Sequence, residues 1–188
     1  FVLKRFSELN RVRFKLEKTI QDILRSRGGH KNVLLADEFL EEQMIVITPY
    51  ARGRDVNRMQ KEWKAMLTPL QAKGIVSGLC DALQYLHECD VVHRDVKDGN
   101  IVLDIANPDL KKITLRDLEH SSGITPKLFD YDVGWHETLA HLDNPNEILG
   151  TPHYLAPEVI RGEKCDPRAD IYAAGITIYK LLTRHFPF

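Results

Sequence analysis

The stretch His93-Arg94-Asp95-Val96-Lys97-Asp98-Gly99-Asn100 decides the reading of this chain. Six of its eight residues are charged, amide or imidazole, and it lies between the apolar runs Val91-Val92 and Ile101-Val102-Leu103. Burying such a loop is costly unless each polar group is paired or used. An Asp can take a proton from a hydroxyl nucleophile. A Lys two residues on can neutralise a transferring phosphoryl group. An Asn five residues on can bind a metal ion through its carbonyl oxygen. A second acid, Asp117, follows the β-prone run Ile113-Thr114-Leu115. Asn with Asp is a hard-oxygen donor set, suited to Mg²⁺ rather than zinc.

Composition narrows the field around this loop. The chain has 188 residues, with 26 basic and 27 acidic side chains and a net charge of −1. That balance excludes the basic excess of a nucleic-acid binder. No apolar run approaches the ~18–20 residues that span a bilayer. Phe1-Val2-Leu3 is followed at once by Lys4 and Arg5, which is not the pattern of a secretory signal. Cys80, Cys89 and Cys165 form no CxxC pair and read as reduced thiols, so an intracellular setting, cytoplasmic or nuclear, is expected. The chain lacks an initiator Met and reads as a fragment.

Hydrophobic spacing predicts a helix from about Leu9 to Arg27, with Val12, Leu16, Ile20, Ile23 and Leu24 on one face and Gly28-Gly29 ending it. Two strands are expected at Asn32 to Phe39 and Met44 to Thr48, then a polar stretch from Arg52 to Lys64. A second helix runs from Pro69 to Cys89 on Ile75, Leu79, Leu83 and Leu86. Val91-Val92, Ile101 to Leu103 and Ile113 to Leu115 read as short strands. Residues 120–149 show little periodicity, and Ala169 to Thr183 forms a last apolar helix. The order suggests two unequal lobes with a boundary near Pro49 to Asp55.

The loop His93 to Asn100 resembles the catalytic loop of eukaryotic protein kinases, H-R-D-x-K-x-x-N. Gly150-Thr151-Pro152-His153-Tyr154-Leu155-Ala156-Pro157-Glu158 resembles the end of the kinase activation segment. Asp170-Ile171-Tyr172-Ala173-Ala174-Gly175 is similar to the start of the large buried C-lobe helix, and Phe186-Pro187-Phe188 to the segment after it. The resemblance implies an α+β, two-lobed kinase-like fold. Residues 1–50 would be a partial N-lobe from strand three to the hinge, with helix C. Residues 51–188 would be a mainly helical C-lobe, truncated after its first large helix.

The resemblance also implies roles. Asp95 would be the catalytic base, Lys97 would neutralise the γ-phosphate, and Thr151 would brace both. Asn100 and Asp117 would hold Mg²⁺. Lys4 would bind ATP, paired with Glu17 of helix C, although strict alignment puts Ile20 at that place. Thr48 would be the gatekeeper, Pro49-Tyr50-Ala51 the hinge, Asp55 a ribose contact and Val102 the floor of the adenine site. Asp170 would hold the catalytic-loop backbone. His120, His136, His141 and His153 fit no ligand spacing and read as solvated loop residues.

Departures from the family pattern set further expectations. No G-x-G-x-x-G occurs, so the chain alone is expected to bind ATP poorly. D-F-G reads Asp117-Leu118-Glu119, which puts a carboxylate beside the metal and phosphates. Glu147 stands where a phosphorylated Thr is common and is expected to pair with Arg94. The segment from Asp117 to Glu158 is long, implying an insertion around Gly123 to Asn144 for a substrate or a regulatory protein. The leading expectation is a serine/threonine protein kinase acting on protein substrates with ATP and Mg²⁺, with no nucleic-acid or membrane partner. A pseudokinase scaffold is the rival. A kinase-fold enzyme for small molecules is disfavoured by the peptide-shaping segment Gly150 to Glu158.

Overall fold

The computed structural model describes residues 1–107, 109–120, 123–142 and 147–188. Strand β1 (Val2–Arg5) leads through a 3-10 turn into helix α1 (Arg11–Ser26). Strands β2 (Glu38–Leu40) and β3 (Ile45–Thr48) follow, and the three strands form an antiparallel sheet in the order β1-β3-β2. Lys4 is opposite Val46 in that sheet. Under it lies a small core of Phe6, Phe14, Ala36, Met44 and Val46, with Phe6 and Phe39 both set edge-on to Phe14. Helix α1 serves two cores, because Leu16, Ile20 and Leu24 belong to the larger one.

The larger core is mainly helical. It gathers α2 (Val56–Trp63), α3 (Pro69–Glu88), α4 (Leu115–His120) and α6 (Pro167–Thr183), with α5 (Pro157–Ile160) a single turn. Thr68 caps α3 in a reciprocal box with Gln71, which satisfies two otherwise orphaned N–H groups. A two-stranded antiparallel ribbon, β4 (Ile101–Ile105) with β5 (Ile124–Leu128), packs on α3. No described helix is long and apolar enough to cross a membrane.

The α+β arrangement is the expected one, but four local expectations need correction. The strand expected over Asn32 to Phe39 shrinks to Glu38–Leu40, because residues 32–34 join the end of β5 instead: Leu128 N donates to Asn32 O and Leu34 N to Leu128 O. The polar stretch from Arg52 to Lys64 contains α2, started by the Asp55 carboxylate accepting from Arg58 N. Ile113 to Leu115 is not a strand, since Thr114 and Asp117 open helix α4. The aperiodic stretch 120–149 hides β5.

Candidate active site

Helix α6 and the catalytic loop are tied together first. The buried Asp170 carboxylate accepts from His93 N and Arg94 N at 2.9 Å each, and from His87 Nε2 at 2.9 Å. Arg94 takes φ +67°, so the chain turns sharply there. His93 donates Nε2–H to Phe129 O at 3.1 Å and accepts Asp95 N on Nδ1 at 3.3 Å. The turn is thereby fixed before any ligand arrives.

Four side chains then converge. Asp95 Oδ1 accepts the Thr151 hydroxyl at 2.6 Å, and Oδ2 accepts Lys97 Nζ at 2.6 Å. Lys97 Nζ also donates to Thr151 Oγ1 at 2.8 Å. Asn100 Nδ2 donates to Asp95 O at 2.9 Å and to Oδ2 at 3.1 Å, which turns its carbonyl oxygen away as an acceptor. Gly150 lets the chain approach this loop: it has φ +117°, and a Cβ there would stand 2.6 Å from Arg94 O.

The second group is ionic. Lys4 Nζ reaches Glu17 at 2.7 Å, Asp130 at 2.5 Å and Asp132 at 3.2 Å. Burial draws the lysine pKa down, but the three carboxylates outweigh it and the net shift is upward. Burial pushes Glu17 up to about 7, opposed by Lys4 and reinforced by Asp130 and Asp132. The pair is thus asymmetric: the lysine stays charged, while the glutamate pays for its desolvation. Asp95, Lys97, Thr151, Asp130 and Asp132 line one cleft of about 340 Å³, joined by Arg13 and Glu147.

Several expected residues fall elsewhere or gain a second job. Asp117 is the main correction. It sits half-buried on α4, where it accepts from Thr114 N at 2.7 Å and from Thr114 Oγ1 at 2.6 Å, and it does not join the cluster. The carboxylate that does is Asp130, carried in by the end of β5. Glu119 likewise leaves the phosphate side and accepts Gln71 Nε2 at 2.9 Å. Tyr131, next after Asp130, is fully buried against His93 with its hydroxyl on Leu128 O, and Asp132 follows it. Over the expected insertion, Gly123 to Asn144, the chain forms β5 and a 3-10 turn at Glu137–Leu142, and residues 143–144 lie outside the described residues. Glu147 pairs with Arg13 at 3.9 Å and shares a cleft with Arg94.

The residues expected on the nucleotide side lie on β3, the segment after it, the start of α2 and β4. Thr48 ends β3 half-buried, Tyr50 is exposed and Ala51 is buried. Val102 is buried and bridges Asp55 through the backbone. The Asp55 carboxylate is already the α2 cap and touches Arg58 Nε at 3.1 Å. Asp130 and Asp132 were missed because Pro126 interrupts the strand that precedes them. The available signal was the aromatic flanked by two acids after Lys127-Leu128-Phe129.

A fold with two cores, in which a carboxylate, a lysine and an amide converge on one loop beside a cleft whose acids Asp130 and Asp132 pair with Lys4, is the arrangement of a kinase-like protein. The family model for the protein kinase domain matches residues 2–188, and the chain belongs to the protein kinase family. It is similar to the probable serine/threonine-protein kinase PknB of Corynebacterium glutamicum, 29% identical over 145 residues, covering 76% of this chain and 20% of that protein. It is also similar to the serine/threonine-protein kinase PrkC of Bacillus subtilis, 29% identical over 164 residues, covering 85% of this chain and 22% of that one. A serine/threonine-protein kinase of Myxococcus xanthus is 41% identical over 126 residues, 64% of this chain and 16% of that protein. The chain spans about a fifth of the length of such relatives.

Proposed function

We propose that the chain carries the catalytic machinery of a serine/threonine protein kinase, which transfers the γ-phosphoryl group of ATP to Ser or Thr hydroxyls of protein substrates. The observation that carries this reading is the Asp95 carboxylate, held by Thr151 on one oxygen and Lys97 on the other. Asp95 accepts the substrate hydroxyl proton as the new P–O bond forms. Lys97 faces the transferring group, and Thr151 keeps both in register. Lys4, oriented by Glu17, contacts the nucleotide phosphates. Thr48, Tyr50, Ala51, Asp55 and Val102 receive the adenine and ribose.

The donor set fits a hard divalent cation. Asn100 spends its amide N–H on Asp95 and keeps its side-chain oxygen for a ligand, while its backbone carbonyl accepts Phe129 N at 3.0 Å and so brings the next residue, Asp130, beside it. Asn100 and Asp130, in place of Asp117, would hold Mg²⁺. When bound, the ion neutralises phosphate charge. The three free thiols support an intracellular setting, and the segment 133–158 is the surface for a protein substrate or a regulator.

The test is transfer from labelled ATP-Mg²⁺ to generic Ser/Thr peptides by the full-length protein. Transfer should fall by about 10²–10⁴-fold in Asp95→Asn, the range for loss of a general base. Equal transfer by the variant would defeat this reading. One observation favours a scaffold instead: Asp132 competes for Lys4 at 3.2 Å. If Asp132→Gly creates activity that the native protein lacks, the scaffold reading stands.

A further inference from the structure

Behind the base lies a charged group with no part in the chemistry so far. Asp98 stands between Lys97 and Asn100 in the 3-10 turn Asp98–Asn100, and only 2% of it is exposed. Its Oδ1 accepts the Tyr154 hydroxyl at 2.6 Å, and its Oδ2 accepts Lys180 Nζ at 2.7 Å. Lys180 Nζ also donates to the Tyr154 hydroxyl at 3.0 Å, which closes a triangle. Each corner comes from a different segment: the catalytic loop, the stretch just after Thr151, and helix α6.

We infer that Asp98, Lys180 and Tyr154 form a lock that positions the segment Thr151 to Glu158 against the catalytic loop. The inference rests on the kinase reading and deepens it. Helix α6 grips the catalytic loop twice. Asp170 holds the His93 and Arg94 N–H groups near its start, and Lys180 holds Asp98 ten residues later, about 15 Å along a helix. The two grips have opposite charge, so each takes the group the other cannot. Lys180 also lies 5.1 Å from the Phe186 ring centroid, and Phe186 stacks on His153 at 4.5 Å, so the chain after α6 shields the lock. Asp98 does not itself line the cleft. It acts through its neighbours: Lys97 and Asn100 bracket it, and Tyr154 follows Thr151 by three residues. Removing either charged member leaves the other buried and uncompensated, and the loss falls on the loop that carries Asp95.

A purely structural pair would cost stability alone, so the test reads kinetics and local order. Lys180→Met, Asp98→Asn, Tyr154→Phe and the double variant Asp98→Asn/Lys180→Met are compared in the full-length protein. Measured are ATP affinity, kcat, and amide exchange at 93–100 and 151–158. The lock predicts that Lys180→Met and Asp98→Asn each lower kcat by about tenfold while ATP affinity stays within about twofold. Exchange should rise in both segments together. The double variant should be no worse than the poorer single one, the signature of coupled residues. Tyr154→Phe keeps the ion pair and should give a smaller loss, which preserves the test if the others fold poorly. Unchanged kcat, exchange confined to one segment, or additive losses would overturn the lock. A native protein that transfers no phosphate would instead count against the kinase reading, and the paired exchange response would still decide the lock.

Discussion

Glu17 is the residue at which stability and chemistry pull apart. It is buried, it faces Lys4, and burial raises its pKa to about 7. In an unfolded chain a Glu ionises near its ordinary value of ~4.3. Between those two values the unfolded state binds fewer protons than the folded state, so stability falls as pH rises through the window. Lys4 is shifted upward and stays charged throughout, so it adds no slope there. Thermal unfolding of Glu17→Gln should therefore lack this decline, and the native protein should lose ground to the variant from about pH 5 to pH 7. Parallel stability curves would contradict the burial argument. Asp130 poses the second residue-scale question. Asp117-Leu118-Glu119 and Asp130-Tyr131-Asp132 share the spacing of two acids about one non-acidic residue, and locally only the aromatic at Tyr131 tells them apart. What separates them is pairing with β4, which no short window contains. Asp130→Asn should abolish transfer at least ~100-fold, as expected for a lost electrostatic contact to the reacting group. Asp117→Asn should leave transfer unchanged and only fray α4. If Asp117→Asn were the silent-enzyme variant, the placement of the site would be wrong.

At the scale of elements, legibility followed period and length. Helices α1, α3 and α6 each repeat their apolar positions over four or more turns, so their spacing survives in the sequence. Strand β5 did not, because Pro126 occupies its centre, where a proline removes a ladder donor. The Pro126 carbonyl is still satisfied, because Asn32 Nδ2 donates to it at 2.7 Å, an interaction 94 residues apart in sequence. Helix α2 could have been read from Asp55 as cap and the spacing of Val56 and Met59, but its polar face hid it. The loop His93 to Asn100 was legible because its polar residues are contiguous; Asp130 was not, because the partner strand that places it is remote. Gly78 in α3 gives the prediction proper to this scale. Alanine is the better helix former by about 1 kcal/mol, so propensity alone says Gly78→Ala stabilises. Packing says the reverse: a Cβ there would overlap Pro126 Cγ and lie 2.7 Å from Asn32 Nδ2. Overpacking of that kind costs about 1–3 kcal/mol and is met here by a ring and a bonded amide, neither of which can yield easily. Gly78→Ala should therefore lower the denaturation midpoint, and a rise would show that α3 and β5 can separate without loss.

For the molecule as a whole, the division of the core decides what opens first. The sheet β1-β3-β2 rests on Phe6, Phe14, Ala36, Met44 and Val46, whereas the helical part shares a far larger set running from Leu16 to Leu181. Stability within a protein follows such local differences in burial. Helix α1 is the exception to a simple split, because Phe14 serves the small core while Leu16, Ile20 and Leu24 serve the large one. Tyr85 also holds it from α3, donating its hydroxyl to Leu24 O at 2.6 Å. The sheet's own link across the cleft is Lys4, and ion pairs to a side chain that is 36% exposed are partly screened. Amide exchange in mild denaturant should accordingly lose protection first in β1 and β2, later in α1, and last in α3 and α6. Lys4→Met should advance the first step and leave the last unchanged, since the partners of that side chain among the described residues, Glu17, Asp130, Asp132 and Phe6, lie outside the large core. Simultaneous loss across sheet and helices would mean that the two cores behave as one unit, and that the Lys4 cluster couples them more strongly than its exposure suggests.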